Sequence, residues 1–343
     1  MRVKRLIAAA CAAAVSACAL GACAGGNGPR ATSSIRLILG HGAAPGNPRS
    51  DAALKFEELV EAKSGNTIDV QILGQESVGS DSQMMISVAA GTLDMSINSQ
   101  GPFASYVPES ALIGLPFLFE SSQHAYAVVD SPQVADHLTR KAQEKGFHVL
   151  GYWDNGLRDI TNSKHPINTP DDVSGLKIRT PDDTMTISIF NELHANPTPM
   201  AFGELYLALR TGAVDGQENP VVNIDSAKLN EVQPYLAKTG HKYETNPFVI
   251  SSARWERLTP DQQRIITEAA EEARSYQRSL MEGRTSEIDA RYEQELDVTH
   301  PDKAEFREAT ASVYEQWKAQ YPEFYALITE AADSVRSDYE AKD

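Results

Sequence analysis

The chain has 343 residues, with 47 Asp and Glu against 31 Lys and Arg, and a formal net charge of -16. That balance excludes nucleic acid as a partner, because such binding rests on Lys and Arg neutralising phosphates. Its three cysteines, Cys11, Cys18 and Cys23, all lie near the N-terminus, so the rest of the chain has no disulfide and must be held by an ordinary core.

Arg2, Lys4 and Arg5 precede an apolar run from Leu6 to Ala22, the layout of a secretory signal. The run is close to the length that spans a bilayer, so a retained anchor helix is the competing reading. Leu20-Gly21-Ala22-Cys23 favours cleavage, since it reads as a lipobox whose Cys23 would take the lipid. Val15-Ser16-Ala17-Cys18 is a weaker candidate. Residues 1–22 are expected to be a lipoprotein signal peptide. Residues 23–33, which contain Gly25-Gly26-Asn27-Gly28-Pro29, are expected to form a flexible tether. The chain is then extracytoplasmic, in the periplasm or on the outer face of the cell membrane, and lipid-anchored.

Residues 35–40 alternate as a half-buried strand does. Residues 51–64 follow with Ala52, Phe56, Leu59 and Val60 at helical spacing and Gly65 as a stop. A strand over 67–73, a helix over 84–90 and a strand over 94–98 complete an α/β unit with a largely parallel sheet. Two short helices are predicted within 124–145 and a strand over 147–153. A second unit begins near Gly156. There, Thr169-Pro170-Asp171-Asp172 and Thr180-Pro181-Asp182-Asp183 each offer a Thr cap, a Pro at the first helical position and acids in the first turn. Residues 176–179 form a short strand between them, and 203–211 a helix stopped by Gly212.

Thr259-Pro260-Asp261-Gln262 is a capping box. It opens a helical pattern that runs to about Glu295, roughly 50 Å at 1.5 Å per residue. That is longer than one small domain, so the helix is expected to cross both lobes. A coiled coil is the alternative, but Ile266, Ala269, Ala270, Ala273, Leu280, Ile288 and Tyr292 keep no strict heptad. The expected plan is lobe I from 34–155 plus about 245–284, and lobe II from 156–244 plus about 285–335.

No phosphate-cradling glycine loop, Gly-x-Ser-x-Gly elbow or His-Glu-x-x-His motif is present, and the eight histidines show no metal-ligand spacing. No cofactor, metal or catalysis is expected. In open α/β sheets ligands sit beyond the carboxyl ends of strands. Arg179 stands at such an end, with a helix start after it, where a guanidinium fork and free backbone N–H groups could meet a carboxylate. Arg158 follows Gly156 where one unit gives way to the next. By spacing alone, an arginine in either place is more often a surface ion pair.

Residues 198–220, TPMAFGELYLALRTGAVDGQENP, closely resemble a signature stretch of the solute-binding proteins of tripartite ATP-independent periplasmic (TRAP) transporters. QILGQESVGSD (71–81), AAGTLDMSINSQGPFASYVPE (89–109), LPFLF (115–119), GYWDNGLRDITNSKHPI (151–167) and DVSGLKIRTP (172–181) match in the same order, and the resemblance runs from about Ile35 to about residue 320. It implies a two-lobed α/β periplasmic-binding-protein-like fold with a central cleft, crossing strands between the lobes and a long C-terminal helix over both. It places the family's carboxylate-binding arginine on Arg179, a second ligand-contacting arginine on Arg158 and a ligand-contacting asparagine on Asn219. Phe202 matches an aromatic at the pocket border. Glu76, Asn98, Trp153 and His41 fall in loops that line the cleft of such proteins. QILGQESVGSD departs from the shorter family pattern, which bears on Glu76. For Phe202 and Trp153 a core role is equally open, and Glu218 and Tyr206 could serve folding.

The function expected is capture of a small carboxylate by an arginine clamp and delivery to the small and large TRAP membrane subunits, by a monomer. The polar candidates Asn98, Trp153, Asn155 and His41 suit a hydroxylated ligand, so a sugar acid such as a uronate or aldonate is favoured. The alternatives are a binding protein of an ATP-driven importer, an extracytoplasmic ligand sensor, and a secreted lyase or hydrolase of acidic sugars.

Overall fold

The computed structural model describes residues 35–339, so Cys23, Cys18 and the expected signal and tether lie outside the described residues. Strand β1 (Ile35–His41) leads into helix α1 (Pro48–Ser64), β2 (Ile68–Leu73), α2 (Asp81–Ala89) and β3 (Met95–Ile97). Short helices α3 (Gln100–Ala104), α4 (Ser122–Val129) and α5 (Pro132–Gln143) lead to β4 (Phe147–Asn162). Then come β5 (Lys177–Thr180), α6 (Thr184–Glu192), β6 (Asn196–Pro199), α7 (Phe202–Thr211), β7 (Gly216–Asn219), α8 (Val221–Ser226) and β8 (Tyr235–Ser251). Helices α9 (Ser252–Trp255) and α10 (Pro260–Glu295), strand β9 (Asp297–Thr299), and helices α11 (Lys303–Ala309), α12 (Ala311–Gln320) and α13 (Pro322–Val335) close the chain. Among the described residues no helix is long and apolar enough to cross a membrane.

The strands form one sheet in the order β2-β1-β3-β8-β4-β7-β5-β6, with β9 beside β8. Two parallel patches, β2-β1-β3 and β7-β5-β6, are joined by the long antiparallel ribbon of β4 and β8. The ribbon's register shifts at three places, one of them between Asp154 and Gly156. Gly156 has φ +101, and a Cβ there would lie 3.3 Å from Met281 and Pro220, so any other residue would be strained at this bend. The boundary expected at 155/156 therefore falls inside one bent strand.

Local chemistry explains the helix starts. Asn47 caps α1 by accepting from Arg49 N–H, with Pro48 at the first helical position, three residues before the start read from the sequence. Helix α6 begins at Thr184, capped by Asp183, so Thr180 is not its cap but the last residue of β5. Pro170–Val173 is a single 3-10 turn. At the start of α10, Thr259 N–H donates to Gln262 Oε1 at 2.9 Å and Gln262 N–H donates to Thr259 Oγ1 at 3.3 Å. The 36 residues of α10 pack on α1, β4 and α8, burying Ile266, Ala269, Ala270, Met281 and Tyr292.

Three apolar clusters hold these elements. One joins Phe103, Phe147, Ile178 and Phe190 to Phe306, Trp317 and Phe324 of the C-terminal helices. A second packs Phe56, Trp153, Phe248 and Ile266 beneath β1. The third joins Leu205, Val221 and Leu236 to Ile288 and Tyr292.

Candidate ligand-binding site

The carboxyl ends of β1, β5, β6 and β7 and the first turns of α1, α2 and α7 face one cavity of about 310 Å³. Arg49, Glu76, Asp81, Arg158, Arg179, Phe202, Asn219 and Asn223 are among its lining residues. This is where an open α/β sheet offers helix N-termini and strand-end side chains together.

Arg179 is 3% exposed. Its Nε and Nη2 donate to the Met200 carbonyl at 3.1 and 2.7 Å, and its guanidinium lies 5.8 Å from the Phe202 ring centre. It makes no ion pair among the described residues. Burial pulls its pKa down to about 10 against the pull of the Glu218 carboxylate. A buried cation in this position is stabilised by any anion that enters the cavity.

Arg158 has the opposite environment. Its Nε and Nη1 are held by the Glu218 and Glu244 carboxylates, and its Nη2 donates to Glu218 O at 2.7 Å, Glu218 Oε1 at 2.8 Å and Asn219 Oδ1 at 3.1 Å. Burial opposes ionisation of Glu218, but Arg158 and His241 hold its carboxyl down to about 2. The Arg158 charge is thus balanced within the protein, and all three of its nitrogens are engaged, one of them in orienting Asn219. Asn219 is oriented from both sides: its Oδ1 accepts from Arg158 and from Asn223 Nδ2 at 3.3 Å, and its Nδ2 donates to Gln217 Oε1 at 2.5 Å.

Glu76 reaches the cavity from the loop before α2, and burial together with the charge of Asp81 raises its pKa. Among the described residues no cluster of His, Cys, Asp or Glu is arranged to hold a metal ion.

Residues 39–320 match the DctP family, bacterial extracellular solute-binding protein family 7. The chain belongs to this family, the solute-binding proteins of TRAP transporters. Protein y4mM of Sinorhizobium fredii is 46% identical over 83% of this chain, a match that spans 53% of y4mM's own length. The 2,3-diketo-L-gulonate-binding periplasmic protein YiaO of Escherichia coli is 36% identical over 83% of this chain and 87% of its own. Among solved structures, the sugar acid binding protein DctPAm of Advenella mimigardefordensis, in complex with galactonate, superposes with a TM-score of 0.85 at 34% identity, covering 88% of this chain and 99% of DctPAm. The fold is therefore the α/β periplasmic-binding-protein fold of the DctP family, spanned by the long helix α10. DctP-family proteins bind solutes rather than transform them, which sets aside the lyase and hydrolase readings, and membership favours a TRAP system over an ATP-driven importer.

Of the eight residues that the sequence proposed for ligand contact in this DctP-family protein, Arg179, Arg158, Asn219, Phe202 and Glu76 line the cavity. The other three do not. Trp153 is fully buried in the second cluster, edge-on to Phe248 at 5.4 Å. Asn98 is buried at the end of β3, where its Nδ2 donates to Ser96 Oγ at 2.8 Å. His41 is 2% exposed at the end of β1, its Nδ1 accepting from Ala43 N–H at 3.2 Å. Sequence reasoning missed Arg49, Asp81, Asn223 and Glu244. For Arg49 the signal was available: Asn47-Pro48 is a cap followed by proline, just past the end of a strand.

Proposed function

We propose that this DctP-family protein captures a sugar acid, an aldonate or uronate, with the ligand carboxylate on Arg179, and hands it to the small and large membrane subunits of a TRAP transporter. The observation that carries the reading is Arg179 itself: a buried guanidinium with no ion pair among the described residues, lining a cavity of about 310 Å³. Charge-assisted hydrogen bonds contribute about 1.5–3 kcal/mol each, enough for two of them to select acids over neutral analogues. Galactonate in DctPAm and 2,3-diketo-L-gulonate as the ligand of YiaO support a hydroxylated or keto acid. Asn219, held in place by Arg158, would contact the ligand beside its carboxylate, with Arg158 next to it in the cavity wall.

The two-lobe plan accounts for capture. Residues 34–155 with 245–284 would close on 156–244 with 285–335 by flexing the bulged β4–β8 ribbon. Lipidation at Cys23 would keep the protein at the membrane beside its partner.

Calorimetry against galactonate, glucuronate, succinate and galactose tests the reading. Binding of the sugar acids without galactose is the expected result. Binding of neutral sugars in preference to acids would overturn it.

A further inference from the structure

We infer that Arg49 is a second ligand contact, which donates to uncharged oxygens at the end of the ligand remote from its carboxylate and so selects hydroxylated or keto monoacids over diacids. This rests on the Arg179 reading above. Arg49 lines the same cavity and is 5% exposed. Its backbone is fixed, since Arg49 N–H donates to Asn47 Oδ1 at 2.9 Å and Asn47 Nδ2 donates to Asn223 Oδ1 at 2.8 Å. Its side chain is not fixed: Nε and Nη1 are buried without any hydrogen-bond partner among the described residues. Buried donors of this kind are rare in folded proteins, because leaving them empty forfeits their hydration without return.

The nearest carboxylate is Asp81, whose Oδ2 stands 3.9 Å from Arg49 Nη1 while accepting from Ser99 N–H at 2.9 Å. At that separation the two charges balance, but no hydrogen bond forms. The two cavity arginines therefore have opposite deficits. Arg179 has two donors engaged by Met200 O and no anion, and Arg49 has an anion and idle donors. A group that fills Arg49's deficit needs lone pairs and no charge, which describes a hydroxyl or keto oxygen. A second carboxylate on the ligand would instead meet Glu76, Asp81 and Asp182, all of which line the cavity.

The test is the dissociation constant of wild type, Arg49→Met, Arg49→Gln and Arg179→Met for three probes: galactonate, its diacid galactarate, and the shorter erythronate. Wild type is expected to bind galactonate more tightly than galactarate. Arg49→Met should weaken galactonate by about tenfold or more and erythronate less, because the shorter acid has fewer hydroxyls to offer it. Arg49→Gln should recover part of the loss, since it restores a neutral donor. Equal weakening of galactonate and erythronate by Arg49→Met, no weakening of galactonate, or a preference for galactarate in wild type would each overturn the inference. Arg179→Met separates the two readings. If it retains acid binding, the proposed function fails whatever Arg49 does. If it loses all acids while Arg49→Met changes none, only the Arg49 inference fails. If wild type binds no acid, both fail.

Discussion

Glu76 and Gly203 meet across the cavity: the Glu76 carboxylate accepts from the Gly203 backbone N–H at 3.0 Å, joining the loop before α2 to the first turn of α7. Gln75 and Glu76 hold φ near +57 and +54, a region that side chains other than glycine seldom occupy, so the loop is shaped to deliver this carboxylate to a helix N-terminus. A Cβ on Gly203 would lie 2.7 Å from Glu76 Oε2, and only the mobile end of Glu76 need move to admit it. Gly203→Ala and Glu76→Ala should each speed ligand release about fivefold, the equivalent of about 1 kcal/mol. Because both remove one contact, the double variant should release ligand no faster than either single one. Stopped-flow dissociation rates check this; additive effects would mean the two residues act separately.

Arg158 and Arg179 should separate stability from binding. Arg158→Met strands Glu218 and Glu244 as buried, unpaired carboxylates, a loss on the order of 3–5 kcal/mol. Arg179→Met removes a buried cation that makes no ion pair among the described residues, although Glu218, Glu244 and Glu76 favour its charge, so the unliganded midpoint should fall less than that of Arg158→Met while acid binding disappears. Thermal unfolding with and without a sugar acid reads both effects. A fall in the unliganded midpoint of Arg179→Met as large as that of Arg158→Met would make Arg179 a structural residue.

The part of the site carried by contiguous motifs was legible in the sequence. KIRTP, GLRDIT and DGQENP bring Arg179, Arg158 and Asn219 to one cavity. What failed was inference from nearness to a motif. The resemblance puts Trp153 in a loop, whereas it lies inside β4, which continues to Asn162. Gly151, Asp154, Gly156, Arg158 and Asp159 break the alternation that marks a half-exposed strand, yet nearly all of β4 beyond Gly151 is buried. Strand β8 was missed for the same reason. Its Lys242 and Glu244 are buried and paired, with Asp183 and Arg158, and a pattern of apolar and polar letters cannot show polar residues that satisfy each other across the sheet. Arg49 is the second residue of α1, ahead of the start at 51 that the apolar spacing gives.

Histidine protonation should set the acid limit of stability. Burial, and then the charge of Arg49, lowers the His41 pKa to about 4, with Asp81 opposing. The unfolded chain takes up this proton near pH 6.5. The contribution of neutral His41 is therefore complete above pH 6.5 and is lost progressively as pH falls toward 4, by up to about 3 kcal/mol. Glu218, held down to about 2, gives a second loss between about pH 4.5 and 2. Glu76 and Asp154, raised by burial, work in the opposite sense, since their folded forms take up protons first. His124, His137 and His148 are also lowered by burial and share the upper window, so the raw pH profile does not isolate one group. The difference between wild type and His41→Gln does. The variant should start less stable at pH 7.5, because it disturbs the Ala43 contact, and should lose less on acidification from 6.5 to 4, with the lower window unchanged. Parallel losses in both proteins across the upper window would mean that His41 already carries its proton in the fold.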